Sequence, residues 1–380
     1  MPSSKRRLKD KRVFQSRFHC RKLNLTPAQL DPDSLAKRVA LNHLTEFPAL
    51  PHPSPDSVSS FKITEELLNP LTILPLKDKT FWFIDEEPKL QEMSQILQTK
   101  TVIGVDVEVD HEYSYFPIIT LIQISCDTHD FVVDATTLFR FIAPCLSPIF
   151  LDNSIIKLVF GQCDIRELKR DFGLYFSAVI DVQLVHQWVA GDSYQIGLDN
   201  FTKIYLDKEV DKTHQGFTFK LRPLPDYALE YARNDSNLLL ECWEVLKKRH
   251  KEYLLNNYKY EIINEVIMKP FRFPKSVNGA GRQFSKCIKH KMHGPKRDEF
   301  AKRYFNPFKT VWNWRQNFGQ KHDRPTHEML NPEKLLRLAV QQPKNVEELE
   351  DVVSGARYWE PEWKESLLEA IALGETRETT

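Results

Sequence analysis

Thr101-Val102-Ile103-Gly104-Val105-Asp106-Val107-Glu108-Val109 is the stretch on which the fold turns. It alternates strictly. Ile103, Val105, Val107 and Val109 face one way; Gly104, Asp106, Glu108 and Asp110 face the other. Period two is the mark of a β-strand. Two carboxylates set among valines in a β core are costly unless they are paired or hold a cation. Their hard oxygen atoms suit Mg²⁺ or Mn²⁺. A strand with one solvated face explains the same alternation, and D-x-E is too short a motif to choose between the two.

The neighbouring sequence supplies the rest of a sheet. Phe81-Trp82-Phe83-Ile84 reads as a short strand, and Glu87 to Gln98 as a helix with Leu90, Met93, Ile96 and Leu97 on one face. Further strands are expected at Thr120–Ser125, Phe131–Asp134, Ile156–Phe160 and Val179–Ile180. Helices are expected at Thr137–Ile149, Ile165–Asp171, Val182–Val189 and Leu198–Tyr205. Hairpins followed by strand–helix alternation give an α/β domain with a mixed sheet flanked by helices.

Two more stretches bring acids. In Lys157-Leu158-Val159-Phe160-Gly161-Gln162-Cys163-Asp164 an apolar strand ends at a glycine and Asp164 opens the next helix. Asp164 suits an N-cap, and a strand C-terminus is also where α/β sheets place ligands. In Tyr231-Ala232-Arg233-Asn234-Asp235 the tyrosine and second acid are four apart, so they share a helix face with apolar Leu238, Leu239 and Cys242. Asp235 is then either a surface acid or a buried one needing a partner. A cation shared with Asp106 and Glu108 would supply that partner.

After Leu224 strand signals largely vanish. Pro225 suits the start of a long helix running to about Arg249, and Glu252–Met268 reads as a second. Residues 271–304 are basic, with Gly279, Gly281 and Pro295, and read as a linker; 305–375 reads as a small helical bundle. Residues 48–55 are proline-rich and read as extended, so 1–60 is taken as a largely disordered tail and 61–270 as the main domain.

The 380 residues carry a formal net charge of +1, which hides segregation. Residues 1–22 sum to +8, 281–325 to +9 and 346–380 to −7. Such asymmetry suits a chain that handles a polyanion. In 281–325 the Lys and Arg are interleaved with Phe284, Phe300, Tyr304, Phe305, Trp312 and Trp314, a composition that can hold single strands. The tryptophans could equally be bundle core. The basic run Lys5–Arg12 fits a nuclear-import signal, a nucleic-acid arm, a transit peptide or a solvated tail. Six scattered cysteines form no C-x-x-C pair and read as reduced thiols. No apolar run approaches the ~18 residues of a membrane span, so no membrane association is expected.

Taken together, D-x-E, an acid after a glycine turn and Y-x-x-x-D resemble the DEDDy 3′–5′ exonucleases. Asp106 to Ser125, with Ser114-Tyr115 and Leu121-Ile122-Gln123-Ile124-Ser125, is similar to the first motif of ribonuclease D-like enzymes. Asp171-Phe172-Gly173-Leu174-Tyr175 and Asp181 resemble the end of the second. Asp211 to Gln215, Leu221-Arg222-Pro223-Leu224-Pro225 and Tyr231 to Asp235 resemble the third, with R-P-L-P before Y-A-R-x-D most like the exosome-associated nuclear branch. Val311 to Arg315, Arg324-Pro325, Met329-Leu330 and Leu335 to Ala339 resemble an HRDC domain. Departures accompany the likeness. The turn before Asp164 is one residue shorter than that branch's, Phe160 stands where His is common, and Pro117 replaces a Gly. The roughly 60 residues before the domain are also too few for the long N-terminal module of large nuclear homologues.

The resemblance implies a ribonuclease H-like exonuclease domain followed by an all-α HRDC-like bundle. It implies two Mg²⁺ or Mn²⁺ ions held by Asp106, Glu108, Asp164 and Asp235. Asp106 would bridge them, Glu108 and Asp235 would complete one site, and Asp164 would support the other. Tyr231 would orient the attacking water. Lys212, Gln215 and Arg222 are the expected substrate contacts. The implied activity is release of 5′-mononucleotides from the 3′ end of RNA in the nucleus or nucleolus, linked to exosome subunits or cofactors. Trimming of tRNA 3′ ends, a DNA-directed exonuclease, and an inactive RNA-binding adaptor are the alternatives, as are cytoplasmic or organellar locations.

Overall fold

The computed structural model describes residues 52–376 apart from 111–114, 116–117, 192–193, 211–216, 218, 220–221, 270–278, 290, 323–325 and 355–360. The chain divides into two compact units, one comprising Phe47–Asp110 and Ile118–Arg272, the other Phe273–Thr380.

The first unit is built on a six-stranded sheet. Its strands are β1 (Thr80–Ile84), β2 (Val102–Asp110), β3 (Ile118–Ser125), β4 (His129–Asp134), β5 (Ile156–Val159) and β6 (Val179–Asp181). Their order is β1-β4-β3-β2-β5-β6. β2, β3 and β4 pair antiparallel, while β1–β4, β2–β5 and β5–β6 are parallel. The sheet is therefore mixed, as the sequence predicts. Helix α1 (Pro55–Ser60) comes first, then α2 (Glu87–Leu97), α3 (Ile142–Phe150), α4 (Cys163–Phe172), α5 (Val182–Ala190) and α6 (Leu198–Leu206). The long α7 (Asp226–Arg249) follows and packs across β2, β3, β4 and β5. Leu90, Met93 and Leu97 of α2 are buried, as their spacing requires.

Some boundaries differ from expectation. The folded part begins before residue 61: Pro55 takes the first turn of α1, where a missing N–H costs nothing, and Val58 is buried. His52 Nε2 meets the Phe176 carbonyl at 2.8 Å. The rest of the tail lies outside the described residues. Residues 252–268 form two helices, α8 (Lys251–Asn257) and α9 (Tyr260–Met268). The break at Tyr258 buries its ring, whose hydroxyl donates to the Val179 carbonyl (3.1 Å). The helix expected at Thr137–Ile149 starts only at Ile142, because the Asp134 carboxylate ties down the N–H groups of Thr136 and Thr137.

The second unit is helical: α10 (Gly279–Lys289), α11 (Pro295–His322), α12 (Thr326–Met329), α13 (Pro332–Gln341), α14 (Val346–Val353) and α15 (Pro361–Thr376). Much of the expected linker is thus helix, and Ala280, Phe284 and Ile288 of α10 bury into the unit's core. Trp312 and Trp314 are core as well, with their indole N–H groups donating to Gln283 and Ser366. Phe300, Tyr304 and Phe305 pack against the same core. These aromatics therefore build the unit and are not an open platform for bases. No helix among the described residues is long and apolar enough to cross a membrane.

Candidate active site

β2 delivers Asp106 and Glu108 to the sheet face that α7 crosses. The approach is close because position 104 has no side chain: a Cβ there would lie 2.2 Å from the Ser236 carbonyl oxygen. Ser236 also shares a hydrogen bond with Ser125 of β3 (2.8 Å). One turn earlier, Arg233 Nε donates to the buried Asp130 of β4 (2.8 Å), which Lys79 also approaches (3.4 Å). These contacts fix the rotation of α7 and set Asp235 above the strand.

Asp106, Glu108 and Asp235 each offer a carboxylate oxygen within 4.8 Å of the others. All three keep partial exposure, yet protein surrounds them closely enough to strip much of their water. Burial raises Asp106 well above the carboxylate range, and Asp235 beside it adds to the effect. Glu108 is pushed up to about 9 by burial, then by Asp106 and Asp235. Asp235 is raised to about 7 by burial. Asp164 is likewise raised well above its usual range, by burial first and then by Asp106, which places it within electrostatic reach of the trio. It is the second residue of α4 and does not cap that helix. Burial raises the Tyr231 hydroxyl too, and Asp235, Glu108 and Asp106 push it further the same way.

Among the described residues none of the four acids forms an ion pair with Lys, Arg or His. Asp235 raises Asp106 and Glu108, and Asp106 raises Glu108 and Asp164. Such acids, with oxygen ligands and no counter-charge among the described residues, fit a divalent cation site. Regular pairing of β2 with β3 breaks between Glu108 and Val109. The Glu108 carbonyl is satisfied there by the Thr120 hydroxyl (3.1 Å), and the Glu108 carboxylate lies 3.4 Å from the Gln123 amide.

The other expected residues separate. Arg222 Nη2 bonds Asp134 Oδ1 (2.8 Å), its Nε bonds the other oxygen, and its Nη1 donates to the Phe219 carbonyl (2.6 Å). Its guanidinium is thereby engaged in anchoring the segment that leads into α7. Lys212 and Gln215 lie outside the described residues. Sequence reasoning gave no role to Gly104, Gln123, Asp130 or Ser236. Only Gly104 carried a signal, as a glycine inside a strand marking close backbone approach.

The raised acids make the metal-free fold sensitive to pH. Each binds more protons folded than unfolded, so its contribution to stability is complete at acid pH. For Glu108 it is lost as pH rises from about 4.5 through about 9. Glu108→Gln is therefore expected to raise the melting temperature of chelator-treated protein at pH 8, by about 2–4 °C per kcal/mol gained, and to leave it unchanged at pH 4. Thermal melts at the two pH values check this. A lower Tm at pH 8 would contradict the assignment.

The acids that β2 and α7 bring together could hold a metal ion. Residues 81–251 match a family model described as 3′–5′ exonuclease. Among curated proteins, Protein RRP6-like 1 of Arabidopsis thaliana is 30% identical over 47% of this chain and 28% of its own length. Exosome complex component 10 of Homo sapiens is 25% identical over 77% of this chain and 33% of its own. The chain thus spans about a third or less of these relatives. The solved catalytic core of RRP6 from Trypanosoma brucei shares the fold, with TM-score 0.73 and 22% identity over 86% of this chain and 89% of that one. Escherichia coli RNase D does so with TM-score 0.58 and 19% identity over 78% and 76%.

Proposed function

We propose that the chain is a divalent-metal-dependent 3′–5′ exoribonuclease that releases 5′-mononucleotides from RNA and works in nuclear RNA processing or decay with the exosome. The observation that carries this reading is the set of carboxylates on Asp106, Glu108 and Asp235, packed together without a counter-charge among the described residues. Two divalent cations bound there would favour ionisation of a water and offset charge on the leaving oxygen. Asp106, Glu108 and Asp235 would hold one ion, and Asp106 with Asp164 the other. The Tyr231 hydroxyl, kept protonated by its surroundings, can hold the attacking water in line through a hydrogen bond. No covalent intermediate is needed.

The assay is direct. Purified protein, Mg²⁺ or Mn²⁺ and a 3′-hydroxyl RNA should give a ladder shortened from the 3′ end and 5′-mononucleotides. Matched DNA and a structured tRNA precursor separate the neighbouring activities. Failure to release any mononucleotide would favour the binding-only alternative. That alternative is opposed by the site itself, since an adaptor gains nothing from acids that destabilise its metal-free fold.

Affinity for RNA is assigned to the second unit, which we read as HRDC-like. Arg282, Lys286 and Lys289 are exposed along α10, as are Lys302, Arg303 and Lys309 along α11. With the aromatics buried, binding there should be mainly to phosphate. Replacing Arg282, Lys286 and Lys289 by Gln is expected to weaken RNA binding without regard to sequence. The slope of log K against log salt should fall by roughly 0.7 for each phosphate of a single strand that is no longer neutralised. An unchanged slope would remove α10 from the interface.

A further inference from the structure

We propose that Asp181 is a positioning residue for Asp164, acting through the turn that carries Asp164 into the site. The inference rests on the metal-site reading above and adds how one of its acids is aimed.

β5 ends at Val159 and α4 begins at Cys163, so only Phe160, Gly161 and Gln162 make the turn. Nothing caps α4 through a side chain: Gln162 occupies the N-cap position and bonds the helix only through its carbonyl, which accepts from Arg166. Asp164 therefore takes its place from the turn and not from a cap. The turn in turn is held from β6. Val159 pairs with Asp181 across the parallel β5–β6 ladder. The Gly161 N–H donates to Asp181 Oδ1 at 3.0 Å, and the same oxygen accepts from Gln183 N (3.1 Å) and Leu184 N (3.3 Å) at the start of α5. One oxygen thus locks two loops together. Gly161 reaches it at φ +93°, a conformation that strains any residue with a Cβ.

Asp181 is completely buried, and among the described residues its Oδ2 has no hydrogen-bond partner. Capping α5 needs only an acceptor, which Ser or Thr would supply with no orphan oxygen. Their shorter side chains carry a single oxygen on Cβ, whereas the carboxylate reaches one atom further, toward the Gly161 amide. Asp181 also adds to the forces that raise Asp164, consistent with their proximity.

The test measures Mn²⁺ binding by electron paramagnetic resonance together with the Mg²⁺ dependence of RNA cleavage, on full-length protein checked for folding by circular dichroism. Asp181→Ala is expected to weaken Mn²⁺ binding by about 10–100-fold, as loss of outer support for metal ligands typically does. Asp181→Asn keeps the acceptor oxygen and should restore binding to within about twofold of wild type. In an Asp164→Ala background, Asp181→Ala should add no further loss, because the residue it positions is gone. If Asp181→Ala does not fold, Gly161→Ala disturbs the same turn from its other side and should lower Mn²⁺ affinity in the same range. Wild-type affinity in a folded Asp181→Ala or Gly161→Ala protein overturns the proposal. So do an Asn variant as weak as Ala and losses that multiply in full with Asp164→Ala. Asp106→Ala separates the two levels of the reading: undiminished Mn²⁺ binding in that variant would sink the metal site itself, whatever Asp181 does.

Discussion

Asp106→Ala should abolish mononucleotide release while making the metal-free protein more stable. The loss follows from position. Asp106 lies within 4.8 Å of Glu108 and Asp235 and also acts electrostatically on Asp164, so removing it disturbs both proposed cation sites. Several kcal/mol of transition-state stabilisation are at stake, about a thousandfold or more in rate. The gain has the same origin. Asp106 raises the pKa of Glu108 and of Asp164, so its removal relieves repulsion that no cation among the described residues offsets. Ordinary destabilising substitutions lower activity and Tm together. A fall in activity with a rise in chelator-treated Tm identifies a metal-ligating acid and excludes simple unfolding. Retained activity in a folded Asp106→Ala protein would falsify the site assignment.

Gly104→Ala should be almost as damaging, although residue 104 touches no substrate. Its new Cβ would meet the Ser236 carbonyl oxygen at 2.2 Å and the Ser236 carbonyl carbon at 3.2 Å. Both belong to the backbone of α7, so no side chain can swing aside, and either β2 or α7 must move. Overpacking of this kind costs about 1–3 kcal/mol. The same shift carries Asp235 and Tyr231 away from Asp106 and Glu108. A displacement of about 1 Å at reacting groups can cost roughly a hundredfold in rate. Gly281→Ala serves as the control. It lies in α10, where a Cβ meets only Phe305 at 4.0 Å, and it should stabilise by up to about 1 kcal/mol through helix propensity. Wild-type activity in Gly104→Ala would show that β2 and α7 tolerate a wider spacing than this site requires.

Much of this was legible from local pattern. The alternation around Asp106 placed both acids on one face of β2, and a spacing of four put Tyr231 with Asp235 on one face of α7. Long-range pairings were not legible. Nothing local to Gln123 says that it faces Asp106 across the β2–β3 ladder, or that its amide approaches Glu108. The resemblance implies that Arg222 contacts substrate. Its engagement with Asp134, 88 residues away, depends on tertiary folding. Residues 279–304 misled for a compositional reason: Gly279, Gly281 and a dense positive charge suggest a linker, yet three apolar positions, Ala280, Phe284 and Ile288, suffice to seat α10. Of the two readings open for Trp312 and Trp314, the structure takes the core one.

A cation that binds only the folded chain adds RT ln(1 + [M]/Kd) to its stability, about 2.7 kcal/mol at a hundredfold excess over Kd. With the proposed ions bound, folding and loading would be one equilibrium, and a newly synthesised chain would complete its folding on capturing them. Chelation would act twice, stopping cleavage at once and then leaving a looser polypeptide open to proteases. In such a protein the cellular cation pool governs lifetime as well as turnover.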